Sequence, residues 1–223
     1  MKNKKKAKNA IIIAGGELKG YEKMKKLLQP HYRDNTIIIS ADGGLYNTIK
    51  MGFRPHTVIG DMDSIDADIK KKYMDRLSGV EFISFPRDKD ESDTRLALEH
   101  ALALDVKDIT LAGVSGGRLD HTFANIMMLA SPGLAGIDIR ILDGDMEAFP
   151  MHGSGTVKGA PGKIISLFSL TPRTTFISTR GLKYQLKDET LDLSPVRGLS
   201  NIFTRKEAFL DFKDGKLLVI KEI

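Results

Sequence analysis

Short β-branched runs recur through the first two-thirds of the chain, at Ile11–Ile13, Thr36–Ser40, Thr57–Ile59, Val80–Phe85, Ile109–Ala112 and Ile137–Leu142. Between them, apolar residues return at helical spacing. Leu96, Ala97, Ala101 and Leu104 fall on one helical face, and Leu119, Phe123, Ile126 and Ala130 on another. Strands alternating with helices predict parallel βαβ units, and strands apolar throughout predict a sheet covered on both faces. The pattern changes near residue 145. From Met146 onward there is no helical period. Alternating runs at Lys163–Leu170, Thr174–Ser178 and Lys216–Ile220 are separated by turn signals at Pro161-Gly162, Lys187-Asp188-Glu189 and Asp214-Gly215. The expected architecture is α/β: a parallel-sheet domain over residues 10–145, then a smaller antiparallel β domain over residues 146–223.

Composition changes this picture little. A chain of 223 residues suits one large domain or two modest ones, and 41% hydrophobic with 28% charged residues is ordinary for a soluble globular protein. The absence of cysteine excludes disulfides, thiolate metal sites and a cysteine nucleophile, and is compatible with a reducing cytoplasm. The net charge of +5 points toward nucleic acid only until it is located. Five lysines sit in the first ten residues, MKNKKKAKNA, and the remainder is formally neutral. With no aromatic-interleaved basic patch after it, the segment over residues 1–9 is expected to be a disordered basic terminus. Ala10–Ala14 is too short for the apolar core of a signal peptide, and no stretch approaches membrane-spanning length. The expected location is cytoplasmic, with neither nucleic acid nor membrane as partner.

The chemistry-bearing residues gather at one place in the pattern. In open parallel sheets, ligands sit at the carboxyl ends of the strands. The predicted strands are followed in turn by Gly15-Gly16-Glu17, Asp42-Gly43-Gly44, Gly60-Asp61-Met62-Asp63-Ser64, the acidic stretch Arg87–Asp93, and Ser115-Gly116-Gly117-Arg118.

Each cluster has a functional and a structural explanation. Asp61 and Asp63, two apart in extended chain, project to the same side roughly 6–7 Å apart. Two carboxylates so placed suit Mg²⁺, a hard cation usually held by a few carboxylates and substrate phosphates; a hydrated turn accounts for them as well. In KDESDTRLALEHAL, Asp90 and Asp93 would face that pair across a cleft and could share a helix face, or Ser92 or Asp90 simply caps a helix. In GVSGGRLDHTFAN, Ser115, Gly116 and Gly117 let backbone amides approach an anion, Arg118 can bind phosphate bidentately, and His121 and Asn125 share a helix face. His121 is equally explained as a satisfied histidine beside Asp120. SADGGLYN places Asp42, Gly43 and Gly44 where a strand ends and a helix begins, as a ribose or phosphate cradle or as an ordinary helix start. Carboxylates for a metal, amides and an arginine together suit phosphoryl chemistry, which depends mainly on positioning and charge neutralisation.

Taken in order, ADGG at 41–44, GDMDS at 60–64, KDESD at 89–93 and GGRLDH at 116–121 resemble the thiamine pyrophosphokinase family, in its bacterial form. The β-rich segments GLKYQL at 181–186 and GLSNIFT at 198–204 extend the resemblance over essentially the whole chain. It implies an α/β catalytic domain followed by a β-sandwich, ATP as co-substrate, and transfer of a pyrophosphoryl group to thiamine to give thiamine diphosphate and AMP. It also implies a homodimer with active sites between subunits. Carried onto this sequence, Asp61, Asp63 and Asp93 would be catalytic and hold Mg²⁺, with Asp90 in support. Asp42, Gly43, Gly44, Ser115, Gly116, Gly117, Arg118, Asp120 and His121 would line the ATP site. Thr179, Tyr184, Ser200 and Asn201 would meet thiamine. The sequence departs from the family at Ser92, where threonine is usual, at Gln185, where bacterial members often have proline, and at Tyr184, where some have tryptophan. The competing readings are a Mg²⁺-dependent phosphohydrolase, a nucleotide sensor without activity, and a nucleic-acid-binding protein resting on the lysines alone.

Overall fold

The first apolar run pairs on both sides. In β1 (Asn9–Ile13), Ile11, Ile12 and Ile13 are fully buried, so consecutive side chains on opposite faces are both covered. The strand starts before the apolar run does, and the Lys8 N–H already donates to the Asn35 carbonyl at 3.1 Å. The computed structural model describes residues 8–18, 20–63, 77–194 and 197–223. The lysine-rich start through residue 7 and Ser64, both singled out above, lie outside the described residues.

The chain divides into two compact units. One takes residues up to Met128 together with Gly136–Gly144, and the other takes Leu129–Ala135 and Asp145–Ile223. The first unit contains β2 (Thr36–Ala41), β3 (Thr57–Gly60), β4 (Glu81–Ser84), β5 (Asp108–Ala112) and β6 (Asp138–Asp143) beside β1. Every pairing among them is parallel, in the order β6-β5-β1-β2-β3-β4. The chain runs outward from β1 to β4, then returns to the other side of β1 for β5 and β6. That reversal opens a crevice at the carboxyl ends of β1 and β5, where open sheets bind ligands.

The described helices of this unit are α1 (Tyr21–Leu28), α2 (Gly44–Lys50), α3 (Asp93–Ala103) and α4 (Leu119–Met128). Met24 and Leu28 of α1 join Ile11, Ile13 and Ile38 in one cluster, and Leu45 and Ile49 of α2 pack on Val58. α3 lies on β1, β2 and β3. It buries Thr94, Ala97, Leu98 and Ala101, so the inward stripe is rotated from the expected one; Leu104, past the helix end, is exposed. α4 departs further. Its inward residues are Asn125 and Met128, while Leu119, Phe123 and Met127 are exposed. Of the expected stripe, Leu119 and Phe123 are exposed, Ile126 is half-buried, and Ala130 lies past the helix end.

The described elements of the second unit are strands and one 3₁₀ turn. One antiparallel sheet orders β12 (Gly198–Ile202), β9 (Ile164–Ser169), β14 (Leu217–Glu222) and β7 (Met146–Met151); the other orders β11 (Lys187–Asp192), β10 (Arg173–Arg180), β13 (Glu207–Asp214) and β8 (Gly155–Lys158). Ile165, Leu167, Leu217 and Val219 from the first meet Val157, Phe176, Leu191, Leu210 and Phe212 from the second in one core, which makes the unit a sandwich. One turn expectation needs correction. Lys187-Asp188-Glu189 lies within β11, with Asp188 at φ 50°; the reversal occurs over residues 181–186 instead. Asp214-Gly215 does separate two strands as expected, and it carries the chain from one sheet to the other.

Candidate active site

β2 and β3 deliver their terminal residues side by side. The Asp42 N–H donates to the Ile59 carbonyl at 2.7 Å. Gly60 follows, and a Cβ there would stand 2.8 Å from the Asp42 Cβ, so glycine is required for the two strand ends to approach. Gly44 has the same role against β1, since a Cβ would stand 1.9 Å from the Ile13 carbonyl oxygen. The ADGG and GDMDS segments are thus close-packed strand ends. The Asp42 Oδ1 is buried without a hydrogen-bond partner.

Asp61 and Asp63 are not in extended chain. β3 ends at Gly60, Met62 adopts φ 63°, and the Asp61 Oδ1 accepts the Asp63 N–H at 3.0 Å. The turn expected as the bland alternative is therefore present, and the same-side geometry of an extended pair is not. Asp63 is exposed and ion-paired with Arg87 at 3.8 Å. Asp93 opens α3, with Ser92 as its N-cap accepting the Arg95 N–H at 3.3 Å. Asp90 lies ahead of the cap and is exposed, so it shares no helix face with Asp93. The Asp93 carboxyl is pushed up, first by burial and further by the charges of Asp42 and Asp61, against the lowering effect of Lys89. The negative charges of Asp42 and Asp61 therefore reach the Asp93 carboxyl. Among the described residues, no three acidic or histidine side chains converge at ligating distance of one point.

The loop after β5 adds the basic group. Gly116 and Gly117 both take left-handed φ, and the Ser115 hydroxyl donates to Asp143 at the end of β6. Arg118 pairs bidentately with Asp120, Nε to Oδ1 at 3.1 Å and Nη2 to Oδ2 at 2.5 Å. That guanidinium, with the His121 N–H, holds the Asp120 carboxyl at about 2 although the group is exposed. His121 is exposed while Asn125 is buried and donates to the Val114 carbonyl at 2.8 Å, so the two do not act together.

In the second unit, the structure unites GLKYQL and GLSNIFT. Leu182 bridges Phe203, and the Lys183 N–H donates to the Ile202 carbonyl at 2.9 Å. Asn201 is buried against Tyr184, whose ring is exposed. Thr179 is also buried, its hydroxyl accepting the Leu186 N–H at 2.8 Å, so it shapes this loop from beneath. Ser200 is exposed at φ 58°, where β12 departs from regular pairing with β9.

Sequence reasoning missed three residues of the site. Lys89 reaches Asp93, Asp143 receives Ser115, and buried Asn47 on α2 donates at 2.8 Å to both the Ala14 and Gly16 carbonyls, fixing the loop after β1. Asn47 is one of two polar residues that α2 buries, Thr48 being the other.

Residues 28–141 match the model for the thiamin pyrophosphokinase catalytic domain, and residues 156–217 match the model for the thiamin pyrophosphokinase vitamin B1 binding domain. The thiamine pyrophosphokinase of Bacillus subtilis (strain 168) is 26% identical over 216 residues, covering 96% of this chain and 98% of the relative. Thiamin pyrophosphokinase 1 of Caenorhabditis elegans is 23% identical over 186 residues, covering 75% of this chain and 70% of the relative. The crystal structure of the Bacillus subtilis thiamine pyrophosphokinase shares the fold with a TM-score of 0.85 at 24% identity, covering 96% of this chain and 99% of that one. Thiamin pyrophosphokinase from Candida albicans shares it with a TM-score of 0.80 at 17% identity, over 97% of this chain and 89% of that one. With the catalytic-domain model spanning half of its length and the vitamin-binding model following in order, the chain belongs to the thiamin pyrophosphokinase family.

Proposed function

We infer that the chain transfers the pyrophosphoryl group of ATP to the hydroxyl of thiamine, giving thiamine diphosphate and AMP. The observation that carries this reading is the presence of both family domains in one chain, the catalytic one and the vitamin B1 binding one. Neither a phosphohydrolase nor a nucleic-acid-binding protein has use for the second.

The carboxylate region suits a divalent cation. Its donors are all oxygens, as Mg²⁺ prefers. The unpartnered Asp42 Oδ1 and the raised Asp93 carboxyl mark negative charge that a cation would relieve. Asp61, Asp63 and Asp93 would hold the ion, with exposed Asp90 in support through water. When bound, Mg²⁺ neutralises charge on the phosphate oxygens and makes AMP a better leaving group.

The remaining steps fall to the chain's own groups. The amides of Ser115, Gly116 and Gly117 and the Arg118 guanidinium bind the phosphates, for which Arg118 exchanges Asp120 for a phosphate oxygen. Asp42, Gly43, Gly44, Asp120 and His121 border the nucleotide. Tyr184 offers a ring on which thiamine's electron-poor rings can stack, with Thr179, Ser200 and Asn201 holding its loop. The thiamine hydroxyl oxygen bonds to the β-phosphorus while the bond from that phosphorus to the α–β bridging oxygen breaks and AMP departs. The hydroxyl proton passes to a carboxylate, for which Asp93 and Asp63 are the candidates.

The working form is a cytoplasmic homodimer with each site shared between subunits. The exposed apolar stripe of α4 supports the dimer. No described helix is long and apolar enough to cross a membrane.

The test is mass detection of thiamine diphosphate and AMP after incubation with ATP, Mg²⁺ and thiamine. Both products should appear in equal amounts and only when all three are supplied. ATP turnover that ignores thiamine would favour the phosphohydrolase. Undiminished AMP formation by Asp61→Asn would remove the metal assignment.

A further inference from the structure

Lysine is among the residues least often withdrawn from water, yet the Lys89 side chain is only 13% exposed. Its ammonium lies 3.1 Å from the Asp93 Oδ1, close enough for an ion pair. The same Nζ donates to the Pro86 carbonyl at 3.2 Å. The pair has the i, i+4 spacing of a helix-surface bridge but is not one. Lys89 precedes the Ser92 cap, outside α3, and folds over the helix start to reach Asp93. Two residues earlier, Arg87 meets Asp63. A single short loop thus sends two cations to two carboxylates that belong to different elements, the turn after β3 and the first residue of α3.

We propose that Lys89 is the resident counter-ion of the carboxylate region, seated on Asp93 while no divalent cation is bound and displaced from it when one enters. This rests on the metal reading under Proposed function. The physical ground is competition for one set of lone pairs. Partly desolvated carboxylates gathered together require a positive charge. An ammonium supplies one unit of it from a flexible stem. A divalent ion at Asp93 supplies more, and competes with the ammonium for the Oδ1 lone pairs on which Lys89 sits. The bond to the Pro86 carbonyl keeps the released ammonium at the edge of the site, where the phosphate chain is the next anion within reach. Cation binding and phosphate binding are then coupled through Lys89: the metal vacates the ammonium that the phosphates use.

The experiment is titration of Mn²⁺ into nucleotide-free protein at pH 8, with free Mn²⁺ followed by its paramagnetic resonance signal. Removing the competitor in Lys89→Met should tighten Mn²⁺ binding about five- to tenfold, in the lower range of ordinary coupling between sites. Lys89→Gln should tighten it similarly while keeping a donor for Pro86, which guards against a folding defect in the first variant. Lys89→Arg should stay within about twofold of the native protein. With a non-hydrolysable ATP analogue and saturating Mn²⁺, the order should reverse, and analogue binding should weaken in the Met and Gln variants. Unchanged or weaker Mn²⁺ binding by both neutral variants would overturn the proposal and leave Lys89 as a loop staple. A native protein that binds no Mn²⁺ would remove the metal reading together with this one, whereas native binding without tightening would remove this one alone.

Discussion

Asn201 holds both backbone polar groups of Tyr184. Its Oδ1 accepts the Tyr184 N–H at 3.0 Å and its Nδ2 donates to the Tyr184 carbonyl at 2.6 Å. The same Oδ1 also accepts the Ile202 N–H at 2.9 Å. One buried amide therefore sets the position of an aromatic ring that is itself 59% exposed. Asn201→Ala leaves these backbone groups without partners and should cost about 1–3 kcal/mol of stability. If the ring meets thiamine, the KM for thiamine should rise roughly tenfold, as for Tyr184→Ala, while the KM for ATP stays the same; a tenfold loss is about 1.4 kcal/mol of binding. Steady-state kinetics in each substrate checks this. Equal rises in both KM values would mean that the loop supports the whole fold and not the thiamine side.

Arg118 and Asp120 make a second testable pair. The guanidinium keeps the Asp120 carboxyl at about 2, so the pair stays ionised as pH falls until it nears that value. Its stabilising effect belongs to the range above the ordinary carboxylate pKa and is lost only as pH falls toward 2. It follows that neither limb of a pH–rate profile between 5 and 9 comes from this pair. Asp120→Asn should leave the shape of that profile intact. Arg118→Met should raise the KM for ATP by about ten- to a hundredfold, with Arg118→Lys recovering only part, because an ammonium lacks the planar fork. A profile whose acid limb moves in Asp120→Asn would contradict this assignment.

Much of the fold was legible because both faces of the parallel sheet are covered. Ile11–Ile13 had to be a buried strand, whatever packs on it. What escaped the sequence depends on direction and dihedral angle. The stripe through Leu119 and Phe123 reveals an apolar face without revealing what covers it. The spacing of Asp61 and Asp63 reads as same-side carboxylates only if the chain between them is extended, and nothing in the residue type of Met62 announces its positive φ. Asp188 likewise reads as a turn residue, yet its left-handed backbone is absorbed within β11. Lys89, in a run of charges, reads as solvated; its withdrawal from water follows from the loop folding over the helix start, which spacing does not encode.

Asp93 should show a conflict between stability and activity. Its carboxyl is raised above the usual value, and that balance already includes Lys89. A raised acid binds its proton more tightly in the folded state, so stability is greatest at low pH and falls as pH climbs from the ordinary value through the folded one. At pH 8 the native protein bears this cost in full. Asp93→Asn removes the charge, so in metal-free buffer at pH 8 it should melt at a higher temperature than the native protein, and at about the same temperature near pH 3. Its turnover should fall by more than about a hundredfold, roughly 2.7 kcal/mol of lost transition-state stabilisation. Added Mg²⁺ should raise the native melting temperature and leave that of the variant nearly unmoved. Calorimetry with and without metal decides it. A variant less stable than the native protein at pH 8 would mean that the ion pair with Lys89 outweighs desolvation.

The stripe on α4 carries the prediction about assembly. Leu119, Phe123 and Met127 are 82%, 63% and 41% exposed, and they stand four apart, so they form one continuous face. An apolar face of this kind on a folded chain marks a surface that another molecule covers, and a stable contact needs about 800 Å² from each partner. Phe123 is central to the stripe and begins little more than a turn after Arg118. Phe123→Glu places a charge where a second copy would otherwise bury the ring, and an unpaired buried charge is among the strongest obstacles to association. The native protein should scatter light as twice the chain mass, and the variant as a single chain with an unchanged circular dichroism spectrum. If each site is shared, the variant should also lose at least about tenfold in turnover, and raising its concentration should recover part of that loss. A native protein of single-chain mass, fully active at nanomolar concentration, would refute both the dimer and the shared site.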